Sequence, residues 1–161
     1  MECKVFVPCG ALGSGIAEDS LARGMNLLPD IISCDAGSTD SGPYYLGTGK
    51  GKYARSSVKH DLKLVIMAAH KAGIPITIGS ASTCGSDSGV DEVAAICREV
   101  CEEEGIKAKV TLIYSEQDPK EMKKRFEEGK VSPLPGAPNI EASVFDSCSH
   151  IVGLAGVEPF I

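Results

Sequence analysis

Short apolar runs alternate with longer segments of helical periodicity along the whole chain. The apolar runs predict buried strands, and their ranges are 4–8, 30–34, 75–78, 107–114 and 150–153. The periodic segments predict helices, over 15–27, 57–72, the stretch that follows Ser88, 119–128 and a short 140–147. Strands that alternate with helices favour a parallel sheet. The pattern therefore predicts an α/β fold of three layers, a mainly parallel sheet of about five strands with helices on both faces (Rossmann-like).

Helix ends are marked most clearly in two places. In 57–72 the apolar residues recur at helical spacing, with Ser56 as a candidate N-cap and Gly73 as the stop. Asp118 and Pro119 have the layout of an N-cap followed by proline at the first helical position. These signals predict where both helices begin and where the first one ends.

Composition narrows the class of protein. The 161 residues suit a single α/β domain over 1–161, and the net charge of −6 argues against nucleic acid or an anionic membrane as partner. No run is apolar enough for a membrane span. The seven cysteines, without a secretory signal, favour reduced thiols and a cytoplasmic location. Residues 156–161 resemble the first turn of a further helix, so we expect the N-terminal part of a larger protein or one subunit of a split one, and hence a homo-oligomer or a partner subunit.

Four loops rich in glycine, serine and aspartate each follow a predicted strand. They cover 9–15, 35–42, 79–89 and 153–156. The loops after parallel strands emerge at one edge of the sheet, where such folds bind ligands. The sequence therefore predicts one composite site at that edge.

The first loop is a candidate anion site, because a helix is predicted to start there with unpaired N–H groups. The candidate residues are Gly10, Gly13, Ser14 and Gly15. The spacing is not that of a dinucleotide fingerprint, since Glu18 stands where the third glycine is required. A tight turn that simply needs glycine is the alternative.

The second and third loops supply further candidate ligand-binding residues, namely Ser38, Thr39, Ser80 and Ser82. Residues 43–53 read as a mobile lid whose Tyr44, Tyr45, Lys50 and Lys52 close over an anionic ligand. The Lys50-Gly51-Lys52 segment lacks the upstream glycine and the following hydroxyl residue of a phosphate loop. A solvated loop is the alternative for that segment.

Acid–base chemistry is assigned to carboxylates. Asp35, Asp40 and Asp87 are the catalytic candidates, and Glu116 is expected at the same edge. His60 and His70 fall inside a helix, and His150 begins the last predicted strand, which places it at the opposite edge. Each of the carboxylates is also a normal turn or cap residue.

Three cysteines follow strand ends and are weak candidates for a metal or an iron–sulfur cluster. They are Cys9, Cys34 and Cys84. None of them has a CxxC spacing, and buried small residues are the alternative. The sequence names no cofactor.

Several strings together resemble the acyclic terpene utilisation (AtuA-like) family. They are Val7-Pro8-Cys9-Gly10-Ala11-Leu12-Gly13, Asp35-Ala36-Gly37-Ser38-Thr39-Asp40-Ser41-Gly42-Pro43-Tyr44-Tyr45-Leu46-Gly47, Ile78-Gly79-Ser80-Ala81 and the closing segment 150–161. The second string is the most distinctive. Family members are much longer, so the resemblance implies an N-terminal portion. It also implies metabolism of branched acids through CoA thioesters, with a hydratase or lyase reaction.

Two functions remain open from the sequence. The first is a metabolic enzyme domain that binds a carboxylate or CoA-linked branched acid at the carboxyl edge of the sheet. The second is a non-catalytic nucleotide- or ligand-binding module that serves a partner subunit.

Overall fold

Three parallel strands form the sheet, in the order in which they occur in the chain. A computed structural model describes residues 2–37 and 41–160, and within it the strands are β1 (Val5–Phe6), β2 (Ile31–Asp35) and β3 (Ile76–Gly79). The central strand β2 pairs with β1 on one side and with β3 on the other. The chain is thus an α/β protein with a parallel sheet, as the alternating pattern predicted.

Helices follow each strand. Their bounds are α1 (Glu18–Met25), α2 (Tyr44–Thr48), α3 (Arg55–Ala72), α4 (Asp87–Glu103) and α5 (Pro119–Glu127), with 3-10 turns at Ala142–Asp146 and Glu158–Phe160. In the ranges that the structure describes, no helix is long and apolar enough to cross a bilayer.

The core lies on one face of the sheet. In β2 only Ile32 and Cys34 are buried, and side chains two residues apart share a face. They pack in one cluster with Leu21 of α1 and with apolar residues of α3 and α4, including Leu62 and Val100. On the opposite face, Ser33 and Thr77 join their hydroxyl groups across β2 and β3. This packing supplies one of the two helix layers that the predicted three-layer arrangement requires.

Two of the predicted helix ends are confirmed. Asp118 accepts the N–H of Glu121 at 2.9 Å, with Pro119 at the first position of α5, as predicted. Gly73 ends α3 with a positive φ of 69°, also as predicted. Ser56 and Ser88 were wrong: α3 begins after Ala54, and the N-cap of α4 is Ser86, which accepts the Gly89 N–H.

The expectation of about five strands is wrong for the described residues, which form three. The segment 107–114 has no ladder partner among them, because the position beside β3 that would pair with it is an open groove. The segment 150–153 makes a single bridge, Glu116 to Val152, and the bridge is antiparallel. Both segments carry the apolar composition of strands without the neighbours that a strand needs.

The second and third loops approach each other at Gly37. A Cβ atom at this position would lie 2.0 Å from Thr83 Cα and 2.2 Å from the Thr83 carbonyl oxygen. The Thr83 N–H donates to the Ala36 carbonyl at 3.0 Å in the same place. Because the obstacle is backbone, it has no rotamer by which to move away.

We expect Gly37→Ala to lower the free energy of unfolding by roughly 2 kcal/mol, since the added methyl group forces two loop backbones apart. Urea denaturation followed by circular dichroism measures the change. Gly10→Ala is the matched control: a Cβ at Gly10 meets nothing within 4 Å, and its cost should stay within about 0.5 kcal/mol. Equal stabilities for the two variants would contradict the close approach.

Candidate functional site

The loops that follow the strands do meet at the carboxyl edge of the sheet. The Leu12 N–H donates to the main-chain oxygen of Asp35 at 2.8 Å, which joins the first loop to the second. The second and third loops meet at Gly37. Val152 reaches the same edge, because a Cβ at Gly85 would lie 3.7 Å from Val152 Cγ1.

Asp61 of α3 binds the first loop from inside the protein. Its carboxylate oxygen Oδ2 accepts the N–H groups of Gly13 at 2.8 Å and of Gly15 at 3.0 Å. The side chain is 1% exposed, and its Oδ1 lies 3.4 Å from His60 Nδ1. The two N–H groups that the sequence assigned to an anionic ligand therefore bind a carboxylate of the chain itself.

The glycines of the first loop are required by its conformation. Gly13 and Gly15 have φ angles of 96° and 99°, which side chains rarely adopt. Ser14 donates its hydroxyl to the Ala11 carbonyl at 2.6 Å, while Gly10 is exposed with open space around it. The N–H groups of Gly13, Ser14 and Gly15 have acceptors within the chain, while the Gly10 backbone is exposed with open space around it.

The third loop is strained. Ser80, Ser82 and Thr83 all have positive φ angles, between 49° and 79°, although none of them is glycine. Backbone in this region costs energy and is found where surrounding contacts fix it, often at functional sites. Here the Ser82 hydroxyl donates to Glu92 at 2.7 Å, and Ser80 is exposed at the sheet edge.

The segment 43–53 contains the short helix α2 and is fastened at its far end. The Lys52 N–H donates to Thr83 Oγ1 at 2.8 Å, and Lys52 Nζ reaches Ser41 Oγ at 3.2 Å. Tyr44 and Tyr45 contact each other edge to face, and Lys50 is exposed. This segment therefore lies over the carboxyl edge and rests on the strained third loop.

A histidine–carboxylate pair lies at the same edge. His150 Nδ1 is 2.6 Å from Glu116 Oε1. The other carboxylate oxygen of Glu116 accepts the Asp87 N–H, at the start of α4, at 2.9 Å. Asp87 Oδ1 in turn accepts the Glu116 N–H at 3.3 Å. Three titratable residues from three segments are thus held in one hydrogen-bonded chain.

Glu116 is held as a carboxylate. Burial acts to raise its pKa, but the Asp87 N–H and His150 outweigh burial, so that its pKa lies below the ordinary value. The Glu116 carboxylate accepts a hydrogen bond from the Nδ1–H group of His150. In the neutral imidazole the other ring nitrogen, Nε2, therefore carries no proton. That nitrogen faces the segment 43–53, because a Cβ at Gly49 would lie 2.6 Å from it.

The position predicted for His150 was wrong. The segment 150–153 was expected to run parallel to the other strands, which would have placed His150 at the opposite edge. The antiparallel bridge of Val152 to Glu116 reverses the segment and brings His150 to the loops. An apolar run gives no direction, and Glu116 lies 34 residues from His150 in the chain, so the sequence carried no signal for their pairing.

The carboxylate candidates have separate environments. Asp35 lies exposed at the end of β2 and accepts the Gly37 N–H at 3.0 Å, as in an ordinary Asx turn. Asp87 belongs to the His150 cluster. Asp40, with Ser38 and Thr39, lies outside the described residues. Asp35 and Asp87 do not share a hydrogen bond, and their catalytic roles stay predictions.

Two of the three candidate metal-binding cysteines come together. Cys9 and Cys34 lie close to each other, and burial raises the pKa of both thiols, that of Cys34 to about 12. Cys84 lines a different feature, the groove described next. Within 2–37 and 41–160 no three His, Cys, Asp or Glu side chains cluster as metal ligands, so the three cysteines do not form the cluster considered from the sequence.

An open groove of about 1340 Å³, here called the sheet groove, adjoins this edge. Its walls are β3 with its flanks, 75–81, and the segment 106–113. Ile66 and Ala69 of α3, together with Val93, Ala94 and Cys97 of α4, form its floor. Tyr45 and Leu46 of α2 and the segment 152–156 border it at the carboxyl edge.

We expect Asp61→Ala to lower the free energy of unfolding by about 3 kcal/mol, because it leaves two N–H groups without an acceptor. Asp61→Asn keeps one acceptor oxygen and should lose less than half as much. Asp19→Ala, which breaks an exposed pair with Arg23, is the control and should stay within about 0.5 kcal/mol. Urea denaturation compares the three, and equal losses at Asp61 and Asp19 would contradict the role of the buried carboxylate.

The lowered pKa of Glu116 determines the direction in which the free energy of unfolding changes with pH. Its contribution is present above the ordinary value of 4.5 and is lost as the pH falls through the lower folded pKa. We therefore expect the stability gap between the chain and Glu116→Gln to shrink as the pH falls from about 5 to about 3. Urea midpoints across this range measure the gap. Glu102→Gln, which removes an exposed carboxylate, should show no such trend, and a constant gap for Glu116→Gln would contradict the assignment.

Comparison with known proteins adds no relative. No family model matches the chain, and the curated proteins and the solved structures likewise contain no significant match.

Proposed function

We propose that this chain is an AtuA-like metabolic enzyme domain, which binds a carboxylate or CoA-linked branched acid at the carboxyl edge of the sheet. The proposed reaction is the addition of water to, or its elimination from, the bound acyl group. The observation that carries the proposal is the 2.6 Å contact of His150 with Glu116 beside the loops. Acid–base chemistry of this class needs a group that exchanges protons near neutral pH, and histidine does so.

The geometry supports a base oriented by a carboxylate. Glu116 fixes the imidazole through Nδ1 and stabilises it when it gains a proton, while the Asp87 N–H fixes Glu116. In the elimination direction, Nε2 would take the proton from the carbon next to the thioester carbonyl, and the electron pair of that C–H bond would form the double bond. The C–O bond at the following carbon would break, and the imidazolium would give its proton to the departing hydroxyl group, which leaves as water. In hydration the water oxygen would add to that following carbon while Nε2 passes a proton of the water to the carbon next to the carbonyl. This assignment replaces a direct role for the aspartates with one for His150.

The chemistry around the pair suits an acidic ligand. Lys50 is exposed on the segment that covers His150, and Lys52 lies in the same segment. Exposed Ser80 and the open backbone at Gly10 add hydrogen-bonding groups at the same edge. The apolar sheet groove beside them suits a branched hydrocarbon chain. Ser80, Lys50 and Lys52 are therefore our proposed contacts to the carboxylate or phosphate groups.

Two further proposals concern the whole protein. All seven cysteines are free, which supports a reducing compartment such as the cytoplasm. The three observed strands and the strand-like segment 107–114 support a sheet of about five strands in the complete assembly, with the Rossmann-like three-layer arrangement.

The alternative is a ligand-binding module for a partner subunit. The sheet groove favours it, because a gap between strand-like edges needs something to fill it. The two functions differ in turnover: a module would bind the acyl thioester without converting it.

Spectrophotometric assay of branched enoyl-CoA thioesters tests the proposal. We expect hydration by the chain, and a fall of about 10²- to 10⁴-fold in kcat for His150→Asn, since general acid–base catalysis contributes that much. His60→Asn is the matched control, because this histidine is exposed on α3, and its kcat should be unchanged.

Other outcomes decide between the two functions. Hydration that persists in His150→Asn would show that His150 is not the catalytic base. Calorimetric binding of the thioester without turnover would favour the non-catalytic module, and neither binding nor turnover would exclude this substrate class.

A further inference from the structure

The outer edge of β3 has backbone groups without partners. Its inner edge pairs with β2, as shown by the Ile32 N–H donating to the Pro75 carbonyl and the Ala36 N–H to the Gly79 carbonyl. Backbone groups alternate in direction along a strand, so the N–H and C=O groups of Ile76 and Ile78 face the sheet groove. Among the described residues no backbone group bonds to them.

The backbone groups of the opposite wall of the sheet groove also lack hydrogen-bond partners. Residues 107–113 lie outside the helices and strands and make no backbone hydrogen bond to another described residue. The segment runs from the end of α4 towards Glu116, which is bonded to Asp87 at the start of α4. Because α4 starts at the carboxyl edge, where β3 ends, a segment that runs from the end of α4 back towards its start is parallel to β3. Two strand-like edges therefore face each other across the groove.

The length of the sheet groove suits one strand. Its walls extend over residues 75–81 and 106–113, and at a rise of about 3.3 Å per residue this is about 20 Å, the length of a strand of about six residues. A helix would leave both edges unpaired, because its own backbone groups are satisfied internally. An apolar small molecule would leave them unpaired as well.

The charge and apolarity of the lining narrow the occupant further. Isoleucine, valine, alanine and cysteine side chains form the floor, which favours apolar residues. The basic residues that line the groove are His70, Lys107 and Lys109, and no acidic residue lines it. Neither Lys107 nor Lys109 forms a salt bridge with a described residue. An acidic residue at one end of the strand would complement them.

We propose that the sheet groove receives an apolar β-strand of a second, different polypeptide, flanked by acidic residues at the end near Lys107 and Lys109. The strand pairs along both of its edges, with β3 on one side and with 107–113 on the other. It converts three strands and one unpaired segment into a continuous five-stranded sheet. Pairing along two edges distinguishes this site from the addition of a strand to a single open edge.

A labelled synthetic peptide tests the proposal on the intact chain. The probe carries two aspartates followed by about six alternating valine and isoleucine residues, and fluorescence anisotropy reports its binding. Two control peptides carry N-methyl groups on alternate residues, so that each has one blocked edge. We expect binding of the parent peptide and at least tenfold weaker binding of both control peptides.

Matched variants locate the peptide. Val110→Arg places a charge in the wall of the groove and should weaken binding at least tenfold, while Val144→Arg changes a similarly exposed valine elsewhere and should not. Amide hydrogen exchange should show protection of Ile76, Ile78 and alternate residues within 107–113 on binding.

Several results would overturn the proposal. Sensitivity to only one of the two methylated peptides would indicate a single edge, and protection confined to β1 would place the peptide on the other side of the sheet. No binding of the parent peptide would exclude an apolar strand with an acidic flank. Self-association in sedimentation, with Ile76 and Ile78 already protected, would assign the groove to a second copy of this chain.

Discussion

Backbone groups at the ends and edges of a small parallel sheet need hydrogen-bond partners. The residues that supply these partners determine how the loops and the candidate site are arranged. A buried N–H without an acceptor costs about 1–3 kcal/mol. Asp61 supplies the acceptor for the first loop, and Glu116 supplies it at the start of α4. In both cases a carboxylate from a distant segment is drawn to the sheet edge, where an external anion would otherwise bind.

This constraint explains why the sequence predicted the first loop only in part. Gly13 and Gly15 indicated a tight turn, and both have positive φ, but their N–H groups bind Asp61 and not the predicted external anion. The sequence also held the clue to their partner, since Asp61 lies between Val58 and Val65 at helical spacing on a face that is otherwise apolar. A polar residue at such a position must be paired, but the spacing does not tell which of several loops supplies the donors.

Local signals predicted two helix ends correctly and two N-caps, Ser56 and Ser88, wrongly, while strand pairing depended on distant segments. The Asp118-Pro119 cap and the Gly73 stop are decided within a few residues, and both are seen. The apolar run 107–114 was predicted as a strand because composition reports burial and not the presence of a neighbour. The run 150–153 was given the wrong direction for the same reason, and the location of His150 followed from that.

The third loop connects the covering segment, the sheet groove and the acid–base pair. Its strained residues Ser80 and Ser82 border β3, and Thr83 holds the Lys52 N–H. Positive φ at three non-glycine residues costs of order 1–3 kcal/mol each, so neighbouring contacts must maintain it. The close approach at Gly37 is one such contact.

The sheet groove and His150 are therefore not independent. Val152 borders the groove and is two residues from His150, and its bridge to Glu116 fixes the carboxylate that orients the imidazole. A strand that occupied the groove would pack against Val152 and against β3, and it would restrict the two elements that carry the acid–base pair and the strained loop. Assembly would then position the proposed catalytic base, so that a partner strand and a bound ligand each stabilise the arrangement that the other needs.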